Sequence, residues 1–300
     1  MYLIRPGALI RACRPRQWTK NLLVFAAPLF SFQLDNWSVW SDAFVAMVCF
    51  CLISSSIYLL NDVLDIKSDR EHSFKRFRPI ASGMVSIKQA LLTSVLISIV
   101  SLAIASFISL KLSGLILTYA LIQVGYCLRF KHEPLLDLFC IASGFLLRAM
   151  AGDVYLSPWF LLTISLLALF LAVQKRKAEL RVFQAKGVRT RLVLTRYSFP
   201  FLFRLESLLS TSAFMSYALW ASGPSLNGAS TSWMLLTLPF VLVGIFRYQL
   251  LSDPEESDRR SLMYPNRSSE NPEEILLGDL GIRFTLLGWL LVTIVVGAFA

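Results

Sequence analysis

Nine apolar runs divide the chain, at residues 19–34, 39–60, 88–109, 112–130, 134–152, 158–174, 197–221, 231–251 and 282–300. A helix needs about 20 such residues to cross the hydrocarbon layer of a bilayer. The first run is short and carries Pro28. No internal repeat or low-complexity tract interrupts the series, so residues 1–300 are expected to form one membrane domain. The pattern predicts an all-α fold: a polytopic membrane helix bundle of about nine transmembrane helices.

Charge orients the bundle. Of the 29 Lys and Arg residues, all but three fall at the start of the chain or in alternate loops, on one side of the predicted membrane. Lys111 lies in an opposite-side loop, and Arg148 and Arg204 lie within runs. The positive-inside rule makes the basic side cytoplasmic, which places the N-terminus inside and, with nine spans, the C-terminus outside. The expected location is the cell (inner) membrane. Composition agrees: 56% of residues are hydrophobic, 16% are charged, and the mean hydropathy is +0.61. A soluble domain cannot bury that much apolar side chain. The formal charge of +10 therefore points to membrane topology and anionic substrates, with no nucleic-acid partner. No cleavable signal peptide is evident. Cys13, Cys49, Cys51, Cys127 and Cys140 include no CxxC pair and no His cluster, which argues against zinc or redox chemistry. His72 and His132 are isolated, and no GxSxG elbow is present.

The chemistry concentrates where the second run ends, in Asn61-Asp62-Val63-Leu64-Asp65-Ile66-Lys67-Ser68-Asp69. If the helix continues beyond the bilayer, Asp62, Asp65 and Asp69 stand at i, i+3 and i+7 and share a face, with Asn61 beside them. Aligned carboxylates repel one another unless a cation holds them. Magnesium binds oxygen ligands, commonly one or two carboxylates together with substrate phosphates and water. A solvated helix end, its acids paired to nearby Lys and Arg, is the competing reading. The basic run Lys75-Arg76-Phe77-Arg78 that follows favours a metal-diphosphate site.

The NDxxDxxxD pattern resembles the first aspartate motif of the UbiA-type intramembrane prenyltransferase superfamily. Four further stretches are similar to its decaprenyl-phosphate phosphoribosyltransferase branch: Arg14-Pro15-Arg16-Gln17-Trp18-Thr19-Lys20-Asn21, Lys75 to Gly83, Ser143 to Ala149, and Lys175 to Leu180. Asn271-Pro272-Glu273-Glu274 also fits. The resemblance implies nine helices and a Mg²⁺-diphosphate at the cytoplasmic end of the bundle, with Asp62, Asp65 and Asp69 as metal ligands and catalytic residues. Aromatic-acceptor members carry a second aspartate motif, DxxxD. In the stretch from Tyr126 onward, Asp137 is followed four positions later by Ile141, so that motif is missing there. Tyr126, Arg129, Lys131 and, deeper, Arg148 stand in its place. One carboxylate cluster among many cations suits a donor richer in phosphate than a prenyl diphosphate. Phosphoribosyl pyrophosphate is such a donor, and a polyprenyl phosphate would be the acceptor. At Lys177 the branch more often has an aromatic residue.

The expected substrate-binding residues are Lys20, Asn61, Lys75, Arg76, Arg78, Tyr126, Arg129, Lys131, Arg148, Lys175 and Arg176. A charge within a span, such as Arg148, costs about 2.5–3.5 kcal/mol on insertion scales and normally faces a polar cavity. Asp137 lies about 16 Å away along one helix, too far to pair with it there. Arg204 and Glu206 are two residues apart and do not face each other, so their partners are expected on other helices. The basic segment 175–196 also suits a surface facing anionic headgroups, and the acidic, polar 252–280 loop has no role that the sequence assigns. Two further functions compete: an aromatic-acceptor prenyltransferase of the same superfamily, and an anion transporter.

Overall fold

A computed structural model describes residues 6–31, 35–72, 74–152, 154–186, 192–253 and 278–299, together with Glu256, Arg259 and Ile275. Among these residues the secondary structure is helical throughout, with no strand. The longer elements are α1 (Pro6–Ala12), a 3₁₀ segment (Pro15–Phe25), α2 (Ala26–Phe30), α3 (Trp37–Leu64), α4 (Ile66–Glu71), α5 (Ile87–Ile108), α6 (Leu110–Leu128), α7 (Leu136–Ala149), α8 (Pro158–Lys186), α9 (Phe199–Ala221), α10 (Leu238–Ser252) and α11 (Leu280–Ala298). Among the described residues, six helical stretches are long and apolar enough to cross a membrane: Trp37–Leu64, Ile87–Ile108, Leu110–Leu128, Pro158–Gln184, Ser232–Ser252 and Leu280–Ala298. This is a multi-pass helical membrane protein.

The other three predicted spans take different forms. α7 has 14 residues and at 1.5 Å per residue cannot cross the roughly 30 Å hydrocarbon core. α9 has the length, with 23 residues, but carries Arg204 and Glu206. The first run is a 3₁₀ segment followed by a five-residue α-helix, α2. In a 3₁₀ helix positions i, i+3 and i+6 lie directly above one another. Trp18, Asn21 and Val24 form such a row, and α3 receives it. Trp18 Nε1 donates to Ser55 Oγ (3.0 Å), Asn21 Nδ2 to Cys51 Sγ (3.1 Å), and Val24 is fully buried. Gly152 permits the close fit beyond, because a Cβ there would lie 2.3 Å from Ala27 Cβ.

The chain separates into two compact units, residues 1–131 with 143–155, and residues 132–142 with 156–300. In the first unit α3 is central, packed against the 3₁₀ segment, α5 and α6. Its core includes Phe50, Ile53, Ile116 and Tyr119. Small residues let α3 and α5 approach closely, and serines cross-link them as expected for helices in lipid. Ser56 Oγ lies 2.9 Å from Ser94 Oγ and 2.6 Å from Ser98 Oγ, and Ser101 Oγ donates to the Cys49 carbonyl (2.9 Å). A reciprocal cap starts α5: Ser86 Oγ accepts from Gln89 N–H, and Gln89 Oε1 accepts from Ser86 N–H. In the second unit α8 packs along α9, and α10 along α11, around Phe170, Val173, Leu202 and Tyr248.

Candidate functional site

The end of α3 shapes the carboxylate site. The helix stops at Leu64, Asp65 bridges, and α4 continues, with Asp65 N–H bonded to the Asn61 carbonyl (2.9 Å) and Asp69 N–H to the Asp65 carbonyl (2.8 Å). The near-continuous helical path brings Asp62 and Asp69, separated by about two turns, onto one guanidinium. Arg78 Nη1 lies 3.1 Å from Asp62 Oδ1 and 2.7 Å from Asp69 Oδ2. Arg14 also pairs with Asp62 Oδ1, and its guanidinium stands 5.1 Å from the Tyr58 ring centre. Arg14 has φ 55°, in the left-handed region. That conformation is costly for a residue with a Cβ, and Pro15 follows it as the first residue of the 3₁₀ segment.

Asp65 departs from the expected shared face. It turns to Lys131, with Oδ1 2.6 Å from Nζ. The structure thus unites Asp62 and Asp69 on Arg78, with Arg14 joining at Asp62, and gives Asp65 a lysine of its own. Among the described residues, no group of three or more His, Cys, Asp or Glu side chains is disposed to hold a metal ion. Two carboxylates do converge, however. The point occupied by Arg78 Nη1 is within 3.1 Å of both Asp62 and Asp69. Such an oxygen pair fits a hard divalent cation that completes its coordination with water and phosphate oxygens.

The other expected residues of the first unit lie around this centre or deeper. Asn61 is half-buried on α3, and Tyr126 is half-buried on α6. Lys20 is half-buried on the 3₁₀ segment, Lys75 is half-buried, and Arg129 is exposed at the end of α6. Arg76 is exposed, its guanidinium 4.8 Å from the Phe77 ring centre. Arg148 is buried and, among the described residues, donates to neutral oxygens: Asn21 Oδ1 (2.7 Å), the Gly144 carbonyl (2.6 Å) and Tyr119 Oη (3.0 Å). The Tyr119 and Phe50 ring centres lie 4.7 and 5.4 Å from its guanidinium. This cage ties α7 to the 3₁₀ segment that carries Lys20. Arg14, Asn21 and Tyr119 stand outside the set expected from sequence, where only the Arg14–Asn21 motif marks the first two.

Lys175 and Arg176 belong to the second unit. Lys175 is half-buried. Arg176 is buried in an ion pair with Asp137 (Nε to Oδ2, 2.7 Å) and also pairs with Glu179. Tyr197 Oη donates to Asp137 Oδ1 (2.7 Å) and accepts from Leu135 N–H (2.7 Å), with Leu135 at φ 68°. Burial pushes the Tyr197 phenol above its usual range, and the Asp137 carboxylate adds to the rise. Lys177 pairs with Glu206 of α9 and stands 4.1 Å from the Phe203 ring centre. Gln174 Nε2 also donates to Glu206 (2.7 Å). Glu206 therefore finds its partners on another helix, as its spacing from Arg204 implies. The Asn271–Glu274 motif lies outside the described residues, as does most of the 252–280 loop.

An all-helical membrane protein with buried aspartates converging on a cation is the class these observations define. The chain matches the UbiA prenyltransferase family over residues 22–269 and belongs to it. It is 37% identical over 299 residues to a decaprenyl-phosphate phosphoribosyltransferase of Mycolicibacterium smegmatis, covering 95% of this chain and 90% of that protein. It is 34% identical over 292 residues to a decaprenyl-phosphate phosphoribosyltransferase of Mycobacterium tuberculosis, covering 95% and 92%. A structure of a UbiA homolog from Archaeoglobus fulgidus bound to GPP and Mg²⁺ superposes with a TM-score of 0.68 at 18% identity, covering 97% of this chain and 99% of that one. That likeness establishes a shared fold. The resemblance read from the motifs is borne out at the level of family and relatives.

Proposed function

We propose that this chain is a Mg²⁺-dependent enzyme that transfers a 5-phosphoribosyl group from phosphoribosyl pyrophosphate to a polyprenyl phosphate at the cytoplasmic face of the membrane. The relatives named decaprenyl-phosphate phosphoribosyltransferase, aligned along nearly the whole chain, support the reaction class. The observation that carries the chemistry is the convergence of buried Asp62 and Asp69 on one cationic nitrogen, with Arg14 joining at Asp62. Asp62 and Asp69 would hold the metal, with Asp65 near them. The metal, when bound, would neutralise charge growing on the departing diphosphate.

The remaining work falls to the side chains. Arg14, Arg78 and Lys131 would bind and orient phosphate oxygens, where a pre-set positive field stabilises developing negative charge. Lys20, Lys75, Arg76 and Arg129 would contribute to the same field, and Asn61 and Tyr126 would supply hydrogen bonds. The Arg148 cage would position the 3₁₀ segment. The ribose carbon gains oxocarbenium character as diphosphate leaves, as in other glycosyl transfers. An acceptor phosphate is already ionised at neutral pH, so the reaction needs no strong general base. Purified protein given labelled phosphoribosyl pyrophosphate, polyprenyl phosphate and Mg²⁺ should form a lipid-linked pentose phosphate. Product formed from a prenyl diphosphate and a hydroxybenzoate instead would overturn this assignment.

A further inference from the structure

Around the α3–α4 junction, carboxylates and cations differ in how firmly each is fixed. Asp62 and Asp69 are walled in, their side chains 2% and 4% exposed, while Arg14 and Arg78 reach them from 27% and 26% exposure. The Lys131–Asp65 pair is reversed, with the lysine 9% and the aspartate 28% exposed. Buried acceptors therefore meet part-exposed cations at Asp62 and Asp69, and a buried cation meets a part-exposed acceptor at Asp65. The strained backbone of Arg14 supplies the second feature. Its φ of 55° commits the main chain to presenting a long, flexible side chain at the Asp62 oxygen that Arg78 also contacts.

Two carboxylates and two guanidiniums make this part of the site neutral. A divalent cation arriving alone must displace guanidiniums from their acids and leaves their charges without partners. Arriving with a diphosphate, it takes the carboxylates while the released guanidiniums gain phosphate oxygens, with which Arg forms strong paired hydrogen bonds.

We propose that Arg14 and Arg78 are exchangeable counter-ions, which neutralise Asp62 and Asp69 in the resting protein and pass to the donor's phosphates when metal occupies the carboxylates. The proposal rests on the metal-diphosphate reading given above. It makes metal and donor binding mutually reinforcing, since each removes the charge penalty of the other and such coupling is reciprocal. Arg14 thereby acquires two opposed effects: it weakens binding of metal alone and strengthens binding of donor.

The experiment uses full-length protein in detergent, with Mn²⁺ binding read by electron paramagnetic resonance and donor binding read with labelled phosphoribosyl pyrophosphate at fixed Mn²⁺. Without donor, Arg14→Gln should bind Mn²⁺ about tenfold more tightly than wild type, because a competing charge in contact with the site is removed. The same variant should bind phosphoribosyl pyrophosphate about tenfold more weakly. Arg14→Lys keeps the charge and should stay near wild type for Mn²⁺. Arg78→Gln, read in the same way, serves if Arg14→Gln does not fold. Unchanged or weaker Mn²⁺ binding in the folded Gln variants overturns the exchange. Asp62→Asn separates the two levels: if it binds Mn²⁺ as wild type does, the metal assignment itself falls, and the exchange with it.

Discussion

Each unit contains a cluster of aspartate and arginine, and the two clusters are built differently. At Asp137 both partners are sealed, with Arg176 1% and Asp137 0% exposed, and a buried tyrosine fills the second carboxylate oxygen. At Asp62 the carboxylate is sealed but its arginines are only half-buried. Removing one partner from a closed pair leaves a buried charge uncompensated, so such a pair resists exchange. A half-buried arginine keeps its own charge near water when it leaves its acid, so the cost of exchange falls on the sealed carboxylate and is removed when another cation takes its place. Residue types alone do not distinguish the two clusters, but burial of the cation does.

Substitutions at the two centres should therefore part company. The largest effect is expected at the open one. Asp62→Ala should lower Mg²⁺-dependent turnover by about a thousandfold, with thermal unfolding in detergent little changed, and wild-type turnover in this variant would remove Asp62 from the site. Asp137→Ala should do the opposite, costing about 3 kcal/mol of stability by leaving the buried Arg176 with Glu179 in place of two acids, while the folded fraction keeps its turnover. A denaturation curve paired with activity per folded molecule checks this. Lys131→Met should come next, lowering turnover about tenfold through loss of one phosphate-directed cation. If turnover holds while stability falls, the Lys131–Asp65 pair is a brace like that of Asp137.

The smallest effects belong to Tyr197. Tyr197→Phe should cost about 1 kcal/mol for the hydrogen bond to Asp137, visible as a lower unfolding midpoint. The raised pKa of Tyr197 also fixes the sign of a pH effect. The folded state holds the phenol proton more tightly than the unfolded chain, so this contribution is fully present below about pH 10 and is lost as pH rises further. Unfolding midpoints of wild type and Tyr197→Phe compared between neutral pH and pH 11 should converge at the alkaline end.

Much of this molecule is legible along its length. Apolar runs of bilayer size and loops of uniform charge need no knowledge of neighbours, because lipid imposes length and polarity on each helix separately. The Asn61–Asp69 spacing likewise carries its own geometry, since helical periodicity orders those acids before anything packs around them. The 3₁₀ form of the first run was hidden, because it answers to Ser55 and Cys51 on α3. Long-range pairing was hidden too. Arg14 meets Asp62 across 48 residues, Lys131 meets Asp65 across 66, and Arg148 meets Asn21 across 127. Those partners follow from which side chains packing leaves within reach of each other in a medium where a buried charge must find an oxygen. Composition and periodicity therefore specified a helical membrane enzyme scaffold with an acidic centre. Which cations lie against those acids, and which are sealed in pairs elsewhere, is decided by three-dimensional proximity and burial.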